Sequence, residues 1–183
     1  MTLGLDVEIK TDLTTEPVTV AEMRDYLAID FGSWDSLLAT LITGARTRME
    51  RYTGCTFATK TLVATFQQVA DNIDIPYGPI QSITHVKSID ESGVKTTLVA
   101  GTDYLITGNN FKNIRFFNQI DTPIEIEYVA GYNPLPGDLK VAIMKQVGMD
   151  FEFRENVMDA SQVVELSNGA KQAAASYRRI IFF

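Results

Sequence analysis

The feature that most constrains this chain is a change of hydrophobic period along its length. Two segments near the start repeat apolar residues every three or four positions, the stretch from Cys55 to Tyr132 consists of short alternating runs, and a helical period returns after it. That order predicts an α+β fold: a small α-helical bundle as body, an inserted antiparallel β-module, and an extended C-terminal tail. The boundaries read as an N-terminal arm over 1–16, a helical body over 17–54 and 133–176, the module over 55–132, and a tail over 177–183.

Thr19-Val20-Ala21-Glu22 has the form of a capping box, in which the threonine hydroxyl and the glutamate satisfy each other's backbone amides. It predicts a helix from Val20 to about Ala28, broken by Ile29-Asp30-Phe31-Gly32. Ser33 is expected to cap a second helix, with Leu37, Leu38, Leu41, Ile42, Ala45, Met49 and Tyr52 as its apolar stripe up to Gly54. At ~1.5 Å per residue this helix is roughly 30 Å long. Arg46, Arg48, Glu50 and Arg51 read as lying off the stripe. They make either a solvated face or a set of cations that pair with acidic groups on a neighbouring subunit.

Lys60–Val69, Ile80–Asp90, Lys95–Val99, Asp103–Thr107, Asn113–Phe117 and Ile124–Val129 are rich in Thr, Val, Ile, Phe and Tyr and are separated by turn words such as Tyr77-Gly78-Pro79 and Glu91-Ser92-Gly93. They predict an antiparallel sheet or small barrel. In Ile124-Glu125-Ile126-Glu127-Tyr128 the alternation puts both glutamates on one face, expected to be wet and acidic.

After the stiff Asn133-Pro134-Leu135-Pro136 connection, Asp138 is expected to cap a third helix. Leu139, Ala142, Ile143 and Val147 mark one side, while Val141, Met144 and Met149 make the opposite side apolar too, so this helix wants two neighbours, one of them potentially another chain. Glu155–Asn168 reads as a loop and Lys171–Ser176 as a short helix. Ile180, Ile181, Phe182 and Phe183 close the chain as an apolar run that needs covering, either by folding back as an edge strand on its own subunit or by extending to a partner.

Catalytic chemistry finds no foothold. Phosphate-cradling and zinc-hydrolase motifs are missing from the sequence, and with His85 the only histidine a two-histidine metal site cannot be built. His85 is expected to be an ordinary sheet residue, and a Cys55–His85 nucleophile pair has no motif behind it. Asp121, Glu125 and Glu127 read as a solvated strand face before a glycosidase pair. Cys55, the only cysteine, excludes an internal disulfide and suits a reducing compartment. The apolar runs are too short to cross a bilayer, so no membrane contact is expected. A net charge of −7 argues against gripping nucleic acid through its phosphates. The expectation is thus a non-enzymatic protein with no catalytic residue, metal or cofactor.

Several phrases occur in an order that resembles the head-tail connector (adaptor, head completion) proteins of tailed bacteriophages. They are Val18-Thr19-Val20-Ala21-Glu22-Met23-Arg24-Asp25-Tyr26-Leu27-Ala28-Ile29-Asp30, the helix end Arg51-Tyr52-Thr53-Gly54, Ile75-Pro76-Tyr77-Gly78-Pro79-Ile80-Gln81-Ser82-Ile83, Tyr128-Val129-Ala130-Gly131-Tyr132 and Tyr177-Arg178-Arg179. The resemblance spans about residues 17 to 179. It implies a structural virion protein, made in the host cytoplasm and placed in the neck as a dodecameric ring below the portal protein. The ring would complete the DNA-filled head, offer a platform to a stopper or tail-terminator protein, and let DNA pass through its channel without specific binding. Tyr177, Arg178, Arg179, Ile180, Ile181, Phe182 and Phe183 would be the portal-binding tail, while the helix faces read above make Arg46, Arg48, Arg51, Met144 and Met149 the expected contacts between subunits. The reading that competes with it is a ligand- or glycan-binding β-module with helical flanks; an unrecognised enzyme comes third.

Overall fold

The computed structural model describes residues 4–30, 32–153 and 166–179. Within them the chain forms two units, one from residues 4–13 and Ala58–Asn133, the other from Thr14–Phe57 and Pro134–Arg179. Strands gather in the first and helices in the second, so the fold is α+β, as the change of period predicts.

The β unit holds β1 Leu5–Thr11, β2 Lys60–Phe66, β3 Asn72–Asp74, β4 Ile80–Ile89, β5 Lys95–Thr97, β6 Tyr104–Thr107, β7 Asn113–Phe116 and β8 Ile124–Ala130. They make a five-stranded sheet in the order β1-β2-β8-β4-β5 and a three-stranded sheet in the order β3-β7-β6, with antiparallel pairing throughout. Two sheets therefore stand where a single sheet or barrel was expected. Leu62, Ala64 and Phe66 of β2 and Ile124, Ile126 and Tyr128 of β8 alternate inward and share one core with Ile73, Ile114 and Phe116 of the smaller sheet. The buried Tyr128 hydroxyl donates to the Pro76 carbonyl at 3.0 Å, and burial pushes its pKa up.

Residues 1–16 are, in their described part, more than an arm. β1 pairs with β2 from Leu5↔Phe66 to Thr11↔Thr61 and forms a sheet edge. Only Leu5 and Val7 of this strand are half-buried, and its other positions are exposed, so the alternation that would mark it in the sequence is short and diluted by charge. β3 escapes for a simpler reason: three residues are too few to show a period.

The helical unit contains α1 Val20–Leu27, α2 Asp35–Thr53, α3 Gly137–Glu152 and α4 Asn168–Ala174, with 3-10 turns at Gly32–Trp34 and Ala175–Tyr177. The capping box forms: the Glu22 amide donates to Thr19 Oγ1 at 3.2 Å and the Thr19 amide to Glu22 Oε2 at 2.9 Å. Glu22 also accepts from Lys140 of α3, and this bond, followed by those from Thr19, holds its carboxyl below the usual range. Two expected caps are displaced. Ser33 lies inside the 3-10 turn, and α2 starts after Trp34 without a side-chain cap. Asp138 is in the first turn of α3 behind Pro136 at the N-cap, where it acts on the helix dipole and not as the cap.

α3 packs against α2 and α4 and also touches α1. On its second apolar side Val141 stays exposed and Met144 and Met149 are half-buried. The close approach of α1 depends on Gly148, where a Cβ would lie 3.3 Å from Tyr26 Cε1. Buried Gln146 donates to Asp150 at 2.9 Å and accepts from the Ser167 amide at 2.7 Å, so no polar group is stranded there. Ser167 in turn caps α4, which begins three residues before the helix expected at Lys171. Residues 154–165, most of the expected loop Glu155–Asn168, lie outside the described residues.

Gly44 is exposed in the middle of α2, and a Cβ there would meet nothing within 4 Å. Gly44→Ala is therefore expected to stabilise the protein by about 0.5–1 kcal/mol, because alanine restricts the unfolded chain more than glycine does. A urea titration showing no gain would mean that α2 is not a regular exposed helix at this point.

Candidate functional site

The acidic strand face is assembled differently from the wet surface expected. β8 is the central strand of the larger sheet, and cations reach it from both edges. Lys10 of β1 pairs with Glu127 at 2.6 Å, and Lys95 of β5 pairs with Glu125 at 2.5 Å. His85, opposite Glu127 in the β4–β8 register, lies 3.6 Å from Glu125 and 3.9 Å from Glu127. The Lys95 hydrogen bond holds the Glu125 carboxyl below its ordinary range, outweighing burial, which pushes the other way. The charges form a row that ties both edge strands to the centre of the sheet. Asp121 is exposed in the loop before β8. Each glutamate has a lysine partner from another strand, an arrangement suited to holding the strands together.

Cys55 is buried in the helical unit, its thiol donating to the Tyr177 carbonyl at 3.4 Å, while His85 belongs to the β unit. Among the described residues no group of three or more His, Cys, Asp or Glu side chains is placed to hold a metal ion, and no helix is long and apolar enough to cross a membrane.

The arginines of α2 divide into two kinds. Arg46 is buried at 4% exposure: its Nε donates to Glu16 at 2.7 Å and its Nη1 to Glu50 at 2.8 Å. Arg48 pairs with Asp150 of α3. Both side chains thus have acidic partners within their own chain, and a charge reversal at Arg46 strikes the fold before any contact with a neighbour. The signal was in the spacing: Arg46 follows Ile42 by four and precedes Met49 by three, so it shares their buried face. Leu37 and Leu41, placed on the stripe by the sequence, are only half-buried. Arg51 is exposed, and Met144 and Met149 are half-buried on α3.

The first part of the expected tail is fastened to the end of α2. The Arg179 amide donates to the Thr53 carbonyl at 2.8 Å, Tyr177 accepts from Cys55, and the Arg178 guanidinium lies over the Tyr52 ring at 5.3 Å. Ile180, Ile181, Phe182 and Phe183 lie outside the described residues.

Comparison with known proteins identifies the class. The sequence profile of the head completion protein (HCP) family matches residues 16–171. The chain belongs to this family. That settles the resemblance read from its phrases, and head completion proteins are a structural class not known as enzymatic. Three solved structures share the fold over 97% of this chain and 97% of theirs. One is a chain from the neck of an empty GTA particle computed with C6 symmetry, with a TM-score of 0.78 and 20% identity. Another is from the virion of a native gene transfer agent (GTA) particle, at 0.79 and 19%. The third is from the neck of a native GTA particle computed with C12 symmetry, at 0.75 and 20%. No curated protein matches the sequence. In this head completion protein β1 lies before the matched span, which is why the phrases shared with the family begin only near the capping box.

Proposed function

We propose that this head completion protein is a head-tail connector of the virion neck, a dodecameric ring seated below the portal that completes the DNA-filled head and offers the platform for a stopper or tail-terminator protein. The observation that carries the reading is the family match over residues 16–171; the likeness to neck chains of a particle computed with C12 symmetry supports the ring. The net charge of −7 supports a passive channel, since like charge facing DNA phosphates lets the duplex slide without adhering.

Within this reading the docking element is Ile180–Phe183, and Tyr177–Arg179 act as its mount. Their bonds to Thr53, Cys55 and Tyr52 fix the point from which the last residues depart, and a fixed origin lowers the ordering cost of an extended segment that seats on the portal. Met144 and Met149, half-buried on α3, are kept as subunit contacts of the ring.

The test is truncation after Arg179. The shortened protein is expected to melt within about 2 °C of the full chain and to lose co-sedimentation with the portal. Undiminished portal binding by the truncated chain would remove the docking role of the tail, and failure of the full chain to bind portal would remove the connector reading itself.

A further inference from the structure

Trp34, the chain's only tryptophan, stands directly before α2 and is 40% exposed, its ring meeting Phe151 of α3 edge-on at 5.7 Å. Two residues further, Phe153 is 56% exposed. Glu152, between the two phenylalanines, is exposed, and Asp35 follows Trp34 with its side chain 45% exposed. The helical unit thus exposes aromatic side chains near the start of α2 and the end of α3, with acidic residues beside them in sequence, and exposed aromatic rings are enriched at protein interfaces.

The same unit carries the opposite chemistry at the C-terminal end of α2. Arg24, Arg46, Arg48 and Lys140 are each held by carboxylates of their own chain. Arg51 and Arg178 are exposed, and among the described residues neither sits in an ion pair; Arg178 lies over Tyr52. Copies of a chain with net charge −7 repel one another, so a contact between copies needs exposed cations within it.

We propose that the aromatic side chains Trp34, Phe151 and Phe153 of one copy dock on Arg51, Tyr52 and Arg178 of the next copy, with Glu152 facing the two arginines. The inference rests on the ring reading above and names the surfaces that close it. Two different surfaces meet, so the contact is heterologous, the kind that propagates around a ring and does not stop at a dimer. The guanidinium over Tyr52 is a cation against which an incoming aromatic ring gains both apolar contact and cation–π attraction.

The experiment is a charge swap in the full chain, with ring assembly followed by sedimentation velocity both alone and with the portal protein of the same particle. Glu152→Arg and Arg51→Glu are each expected to weaken assembly about tenfold or more, and the double variant to return it to within about threefold of wild type. Trp34→Ala combined with Phe153→Ala is a second probe. It removes exposed side chains and is expected to leave the far-ultraviolet circular dichroism unchanged while assembly is lost. Single reversals that assemble like wild type, or a double variant no better than the singles, overturn the contact while the ring reading stands. Wild-type protein that remains monomeric both alone and on portal overturns the ring reading and this contact together.

Discussion

Replacing Arg46 by alanine is expected to cost the protein about 3–5 kcal/mol, because it empties a buried site and leaves two partly shielded carboxylates without their counter-charge. The Arg46 side chain is 5% exposed, against 12% for Glu50 and 26% for Glu16. Its Nε and Nη2 donate to both oxygens of Glu16 at 2.7 and 3.2 Å, while Nη1 donates to Glu50 at 2.8 Å. Each acid has a further partner: Thr43 donates to Glu16 at 2.8 Å, and the Phe57 amide donates to Glu50 at 2.8 Å. The guanidinium thus joins three places in the chain, the segment before α1, the middle of α2, and the connection after α2. Arg46→Lys is expected to recover only part of the loss, since an ammonium cannot reproduce the planar fork. Glu16→Gln, at the more exposed acid, is expected to cost about 1 kcal/mol. Urea unfolding followed by far-ultraviolet circular dichroism checks the series through the midpoint at constant slope. A loss below about 1 kcal/mol for Arg46→Ala would mean that this network is relieved by water and is not holding the unit.

Arg46 also shows which parts of the structure could be read from sequence. Local rules worked where one element decides the outcome: Thr19 and Glu22 cap α1 by mutual bonds, and the alternation of β8 puts Ile124, Ile126 and Tyr128 in the core. Reading failed where a second element decides. Glu125 and Glu127 were placed on the outward face correctly, yet they are shielded because Lys10 and Lys95 reach them from strands that flank β2 and β4, a pairing no local pattern encodes. The Asp138 cap was read from residue type alone, whereas Pro136 and the chain entering α3 set where the helix begins. Of the expected subunit contacts, Arg46 and Arg48 turn out to have partners within the chain, since Glu16 and Asp150 come from segments distant in sequence. Phe151 reads from spacing as one more apolar residue on a side of α3, and nothing in the local pattern connects it to Trp34. Each is an ordinary apolar residue of its own helix end, and only the packing of α2 on α3 makes them one patch.

The other large effect is expected at Gly131→Ala, about 3 kcal/mol or more, from two causes that add. Gly131 has φ +126, a region that side chains rarely adopt, and a Cβ there would lie 2.3 Å from the Ala58 carbonyl oxygen and 2.8 Å from the Thr59 nitrogen. Neither side is free to yield. The Gly131 amide donates to the Pro79 carbonyl at 2.9 Å, its own carbonyl accepts from Gln81 at 2.8 Å, and next to it Ala130 is paired with Lys60 at the start of β2. This is the point at which the chain enters and leaves the β unit, at Ala58 and after Asn133, so relief of the clash has to come from opening the β2–β8 ladder at its closed end. Gly93→Ala supplies the control. Gly93 has φ +81 but open space around it, so it carries the conformational cost alone, about 1–2 kcal/mol. Thermal unfolding of both variants separates the terms: the excess loss at Gly131 measures the close approach of β8 to the chain entering β2. Equal losses at the two glycines would show that the backbone conformation, and not the contact with Ala58, is what glycine supplies there.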